Sequence, residues 1–176
     1  MVLEEHIRTE LDRVDQYSFE RLIDNLLHQG AFPEVAPRNA LVESYGTNIE
    51  KRRTIRSAPR TDAELYVSGT KIEKSVRDNW RRKFREDIEN NAGRAIKRFV
   101  WCTNQDTGNK TLRDNGETVD AREYCISRLN CEECIIIGSN DLILVLQNPE
   151  FCNIRRQFLN IPDDFFASPR GGWWSP

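Results

Sequence analysis

Lys71-Ile-Glu-Lys-Ser-Val76, Trp80-Arg-Arg-Lys-Phe-Arg-Glu-Asp-Ile88 and Phe99-Val-Trp-Cys-Thr-Asn-Gln105 follow one another within residues 71–105. The first piece reads as a short strand over 71–76. In the second, Trp80, Phe84 and Ile88 fall at i, i+4 and i+8, one stripe of a helix over 79–91. Asp78 can cap that helix, and Gly93 ends it. The third is an apolar run, a more buried strand over 96–102. Strand, helix and strand in succession begin an alternation that, after a meander of strands, suggests a mixed sheet flanked by helices.

Working outward, Ser68-Gly69 is a plausible turn between a strand over 62–67 and the strand over 71–76. A further strand over 48–57 ends at Ala58-Pro59-Arg60. At the amino end, Leu3, Ile7, Leu11 and Val14 predict a helix over 3–15. A second helix, capped by Ser18, carries Phe19, Leu22, Ile23, Leu26 and Leu27 and stops at Gly30. Pro33 and Pro37 keep the next residues extended or looped. Downstream, 103–116 reads as polar loop, 117–129 as a helix and 134–138 as a buried strand. Helical pieces follow at 142–146 and 154–159, on either side of Pro149. The expected fold class is α/β, with a mixed central β-sheet flanked by α-helices. The expected organisation is one domain over residues 1–168. Residues 169–176, with Trp173-Trp174, would be a docking tail or the start of a linker to a further module.

Composition narrows the partners. The 176 residues are 38% hydrophobic and 31% charged, with a net charge of −2. Globular folding is expected, and a histone-like, broadly basic surface is excluded. The near-balance hides an asymmetry. Residues 51–85 hold twelve Lys and Arg against four acids, a segment of +8 within a chain whose remainder is −10. No apolar run approaches a membrane helix, and the acidic start is wrong for a signal peptide. Five cysteines form no even framework, so reduced thiols in a cytoplasmic protein are expected.

Candidate chemistry lies in the basic segment. Asp62 opens one predicted strand, and Glu73 and Lys74 lie on the next. Strands about 4.8 Å apart would bring the two carboxylates together, and a hard cation such as Mg²⁺ or Mn²⁺ would relieve their repulsion. A neighbouring lysine can position or help deprotonate a metal-bound water. Lys and Arg around such a centre suit a phosphodiester backbone, and Arg52, Arg53, Arg56, Ser75 and Arg77 are the candidate nucleic-acid contacts.

These residues resemble the restriction-endonuclease-like superfamily, the PD-(D/E)XK nucleases. The resemblance spans roughly residues 17 to 146. It rests on Phe19-Glu20 with Leu22 on a helix, Gly46, Asp62, Ile72-Glu73-Lys74-Ser75, Trp80 to Ile88 (similar to the helix of Mrr-like members) and the strand ending in Thr103-Asn104-Gln105. It implies a restriction-endonuclease-like fold and a metal-dependent DNA endonuclease domain acting in bacterial antiphage defence. It also implies a fused or associated sensor or ATPase module and a homo-oligomer. Glu20 resembles an acidic helix residue that some members use as an extra metal ligand. RNA is the alternative substrate, because backbone contacts do not select the sugar.

One departure stands out. The family's acid and lysine are separated by one residue and share a strand face. Glu73 and Lys74 are adjacent, so a regular strand turns them to opposite faces. A β-bulge would restore them to one side. Lys71, two residues from Glu73, is the alternative lysine, and Glu50 or Glu64 the alternative second acid. Without such a device the fold would be catalytically degenerate and serve as an interaction module for nucleic acid or protein.

Each residue also has a plainer reading: Asp62 as a turn residue, Glu73 and Lys74 as solvated strand charges, and Glu20 as a first-turn helix acid. Arg81, Arg82 and Arg85 read most simply as the wet face of a helix. Gln105 either touches substrate or caps a loop. Cys125, Cys131, Cys134 and Cys152 include one Cys-X-X-Cys, which is weak support for structural Zn²⁺, and separate buried thiols are the expectation. His6 and His28 have no nucleophile arranged around them, and no phosphate-binding Gly-rich motif is present.

Overall fold

The computed structural model describes residues 2–36 and 69–162. The expected strands over 48–57 and 62–67, the turn at Ser68 and the tail after residue 168 lie outside the described residues.

The amino-terminal helices are α1 (Leu3–Asp12) and α2 (Gln16–His28). The start of α2 is set by Asp15, whose carboxylate accepts from the Ser18 amide, so the cap sits three residues before the predicted one. Strand β1 (Thr70–Ser75) leads through a short loop to α3 (Trp80–Asn90). Asn79 caps α3 in place of the expected Asp78, since its φ of 59° turns the chain sharply and its side chain accepts from the Arg82 amide. Strand β2 (Arg98–Thr103) follows, then a hairpin of β3 (Thr111–Asp114) and β4 (Glu117–Asp120). Next come α4 (Ala121–Leu129), β5 (Glu133–Ile137), α5 (Ser139–Leu146), a 3₁₀ turn at Pro149–Phe151 and α6 (Cys152–Leu159).

The protein is mixed α/β. Strands β1, β2 and β5 form a parallel sheet in that order, and β3 pairs with β4 in a separate antiparallel ribbon. Phe99, Val100, Trp101 and Cys102 of the central β2 are all 0% exposed, as a parallel strand covered on both faces requires. One face carries Ile72, Val100, Cys102 and Ile137 against α1, α2, α5 and α6. The other carries Phe99, Trp101 and Ile136 against α3 and α4. The sheet steps in one direction from β1 to β2 to β5, and both crossover helices lie on one face, as a constant crossover hand demands.

The hairpin corrects two expectations. Asn115 and Gly116 have φ of 52° and 82°, which let a two-residue turn close where 103–116 reads as loop. Residues 117–120 are therefore a strand, and the following helix starts at Ala121. Its cap is Asp120, which accepts from the Arg122 and Glu123 amides. The Arg122 side chain bonded to this carboxylate, with help from those amides, holds its pKa below the ordinary Asp value despite the opposing effect of burial. The stabilisation is therefore present above the ordinary carboxylate range and lost as pH falls through the depressed folded value. Asp120→Ala is expected to cost about 1 kcal/mol near neutral pH, and the deficit should shrink on acidification. Urea denaturation of both proteins at pH 7 and near pH 3 checks this.

Candidate functional site

Strand parity decides what β1 can offer. Its pairing with β2 runs without interruption from Thr70 opposite Arg98 to Ser75 opposite Thr103, so β1 contains no bulge. Glu73 and Lys74 point to opposite faces of the sheet. Thr70, Ile72 and Lys74 face α2, whereas Lys71, Glu73 and Ser75 face α3.

On the α2 face, Gln16, Glu20 and Asp24 lie at i, i+4 and i+8 and form one stripe against β1. The Lys74 ammonium is 3.0 Å from Asp24 Oδ1, with its side chain 0% exposed. Gln16 Nε2 donates to Glu20 Oε2 (2.7 Å) and to the Lys74 carbonyl (2.8 Å), while Gln16 Oε1 accepts from the Val76 amide (3.1 Å). Gln16 thereby holds the end of β1 and orients Glu20, which is buried. The structure thus joins Lys74 and Glu20, two of the residues singled out above, and adds Gln16 and Asp24. Their signal in the sequence was the four-residue spacing from Glu20, on a helix face that otherwise reads as solvated.

On the α3 face, Glu73 Oε2 accepts from Asn91 Nδ2 at 2.7 Å, and Asn91 also donates to the Asp87 carbonyl. Asp87 is buried but satisfied. Its Oδ2 accepts from Trp101 Nε1 at 2.8 Å, and its Oδ1 is 2.8 Å from Lys83 Nζ. Lys71 shares this face with Glu73. Ser75 is 1% exposed, and its hydroxyl accepts from the Arg77 amide, so it stands away from the surface on which Arg77 lies.

Asp62, Glu50, Glu64, Gly46, Arg52, Arg53 and Arg56 lie outside the described residues. Of the basic residues inside them, α3 uses its own for packing. Arg81 donates to the Thr111 carbonyl and stacks on Trp80, and Arg82 pairs with Glu86. Arg85 donates to the Tyr124 hydroxyl and lies over its ring. Gln105 is a loop cap. Its side chain accepts from the Trp80 amide and donates to the Arg77 carbonyl, and its carbonyl accepts from the Ser139 amide.

Glu20 and Asp24 offer the hard oxygen donors that Mg²⁺ prefers. They do not complete a site by themselves: among the described residues no group of three His, Cys, Asp or Glu could hold a metal ion. Nor does Glu73 join them, since it lies across the sheet. On the same face as Lys74, Cys102 has its thiol pushed up to about 12, chiefly by burial.

Cys125, Cys131 and Cys134 are gathered rather than separate, with the Cys125 thiol hydrogen-bonded to those of Cys134 and Cys131. The bond to Cys134 and then burial raise the Cys125 pKa, and burial pushes Cys131 up to about 11. Cys125 and Cys131 therefore stay protonated near neutral pH. Cys102 is buried as well, and Cys152 is partly exposed. Labelling with an aromatic disulfide reagent is expected to modify Cys152 first, with the other four reacting on unfolding. Peptide mapping of the labelled protein checks the order.

No family model matches the chain, and no curated protein or solved structure matches it either.

The Lys74–Asp24 pair carries a stability consequence. Asp24→Ala leaves a buried ammonium without its partner and is expected to cost about 3 kcal/mol. The double change Lys74→Met with Asp24→Leu should cost less than Asp24→Ala alone. Denaturant unfolding of the three proteins measures the ordering.

Proposed function

We propose that the chain is a restriction-endonuclease-like nuclease domain that hydrolyses DNA phosphodiester bonds with a divalent metal, as an effector of bacterial antiphage defence. The observation that carries this reading is the stripe of Gln16, Glu20 and Asp24 against Lys74, which puts two carboxylates and a lysine on one face of the motif-bearing strand. Within it, Asp24 holds the ammonium and Gln16 holds the Glu20 carboxylate. An ammonium beside a phosphoryl group would stabilise charge developing on its oxygens. Asp62 is the acid this reading assigns from outside the described residues, and Arg52, Arg53 and Arg56 are its phosphate contacts.

A second reading is a catalytically degenerate fold that serves as an interaction module. It is favoured by Ile72, which is 1% exposed and sits two residues before Lys74, where the resembled motif has its acid.

The test is cleavage of plasmid and linear DNA with Mg²⁺ or Mn²⁺, with and without chelator. The expected result is chelator-sensitive cleavage, reduced at least a hundredfold in Asp62→Ala and Glu20→Gln. Lys74→Met should be similarly impaired, while Glu73→Gln keeps activity within a few fold. Loss in Glu73→Gln but not in Glu20→Gln would move the chemistry to the α3 face. No cleavage by the wild type, with DNA binding that survives chelation, would establish the second reading instead.

A further inference from the structure

Strand β5 closes one side of the parallel sheet. Among the described residues its strand partner is β2, and its other edge carries no strand. A groove of about 290 Å³ follows that edge along residues 133–137. Phe32, Glu34, Lys110, Arg122 and Asp141 line it as well.

The register fixes which backbone groups face the groove. Successive residues of a strand turn their N–H and C=O to alternate sides. The Arg98 amide donates to the Gly69 carbonyl at the start of β1, so Phe99 and Trp101 turn toward β5. Their register partners are Cys134 and Ile136, and in a parallel ladder they bond the residues on either side of those partners. Glu133, Ile135 and Ile137 are therefore bonded to β2. The amides and carbonyls of Cys134 and Ile136 point out of the sheet, where no strand among the described residues takes them. Natural edges are blunted by proline, lysine or a bulge. Glu133-Cys-Ile-Ile-Ile137 has none of these, and its pairing with β2 is unbroken.

This edge is complementary to itself. A two-fold axis through Ile135, normal to the sheet, sets two β5 strands antiparallel and puts Cys134 of one copy opposite Ile136 of the other. Each outward N–H then meets an outward C=O. Charge follows the same axis. At the amino end of β5, Arg98 bonds the Glu133 carboxylate and the Glu34 carbonyl, so both acidic residues lie there. At the carboxyl end, Lys110 pairs with Asp141 in the first turn of α5, and its carbonyl accepts from the Ala121 amide beside Arg122. Antiparallel pairing lays the end with Glu34 and Glu133 against the end with Lys110 and Arg122.

We infer that the free edge of β5 is a self-association surface, on which a second copy of the chain pairs antiparallel and continues the sheet across both molecules. This interface stands apart from the nuclease reading.

Sedimentation and hydrogen exchange of the full chain test it. A concentration-dependent dimer is expected. The Cys134 and Ile136 amides should exchange at least tenfold more slowly in the dimer than after dilution, whereas those of Ile135 and Ile137 stay protected in both. Ile135 is half-buried, so a lysine there can carry its ammonium to solvent. Across the axis the two copies of residue 135 form the closest side-chain pair. Ile135→Lys and Ile135→Glu should each weaken dimerisation at least tenfold by repulsion, and an equimolar mixture of the two should restore it. Far-UV circular dichroism checks the fold of each variant, and the wild-type exchange pattern decides the matter without them. A wild type that stays monomeric, or a dimer in which the Cys134 and Ile136 amides gain no protection, would overturn the inference. So would folded Ile135→Lys and Ile135→Glu proteins that each dimerise like the wild type.

Discussion

The parallel pairing of β1 with β2 is the constraint on which the rest depends. Each residue of β1 has a register partner in β2, so the two strands share their faces residue by residue. Lys74 must accompany Cys102 toward α2, and Glu73 must accompany Trp101 toward α3. Moving either side chain to the other face would require a one-residue slip, which would also carry Ile72 and its apolar neighbours out of their core. The division of the polar residues between two faces thus follows from the hydrophobic core.

Each face then solves a different electrostatic problem. Toward α2, a fully buried ammonium needs a carboxylate, and Asp24 supplies one from the inward stripe it shares with Gln16 and Glu20. Toward α3, the buried Asp87 is satisfied by the Trp101 indole and the Lys83 ammonium. Trp101 meets Phe84 edge-on at 5.2 Å, so the indole that binds Asp87 also centres the aromatic cluster. Polar specificity and apolar packing are carried by the same side chains.

The helices and the buried strands were legible because their periods are strong: Phe19 to Leu27 at 3.6, and Phe99 to Cys102 as a continuous run. The β3–β4 hairpin is hidden in the sequence, although Asn115-Gly116 is a strong short-range turn signal. Its flanks are polar, and Val119 also fits the apolar spacing of the helix that follows. Within the described residues the candidate site divides between two faces. Glu20 and Lys74 come together, while Glu73 is parted from them by an alternation that the sequence itself displays. Gln16 and Asp24 are not legible, because polar residues on an amphipathic helix read as solvated, and only the partner strand reveals that this stripe faces inward.

Gln105 carries one more consequence. A single residue ties the β1–α3 loop, the β2 loop and the start of α5, through the Trp80 amide, the Arg77 carbonyl and the Ser139 amide. Loops that follow three different strands would ordinarily open to solvent independently. Here the amides of Trp80 and Ser139 both donate to Gln105. Exchange with solvent at the two positions is expected to be linked, because opening either loop breaks a bond to the same residue.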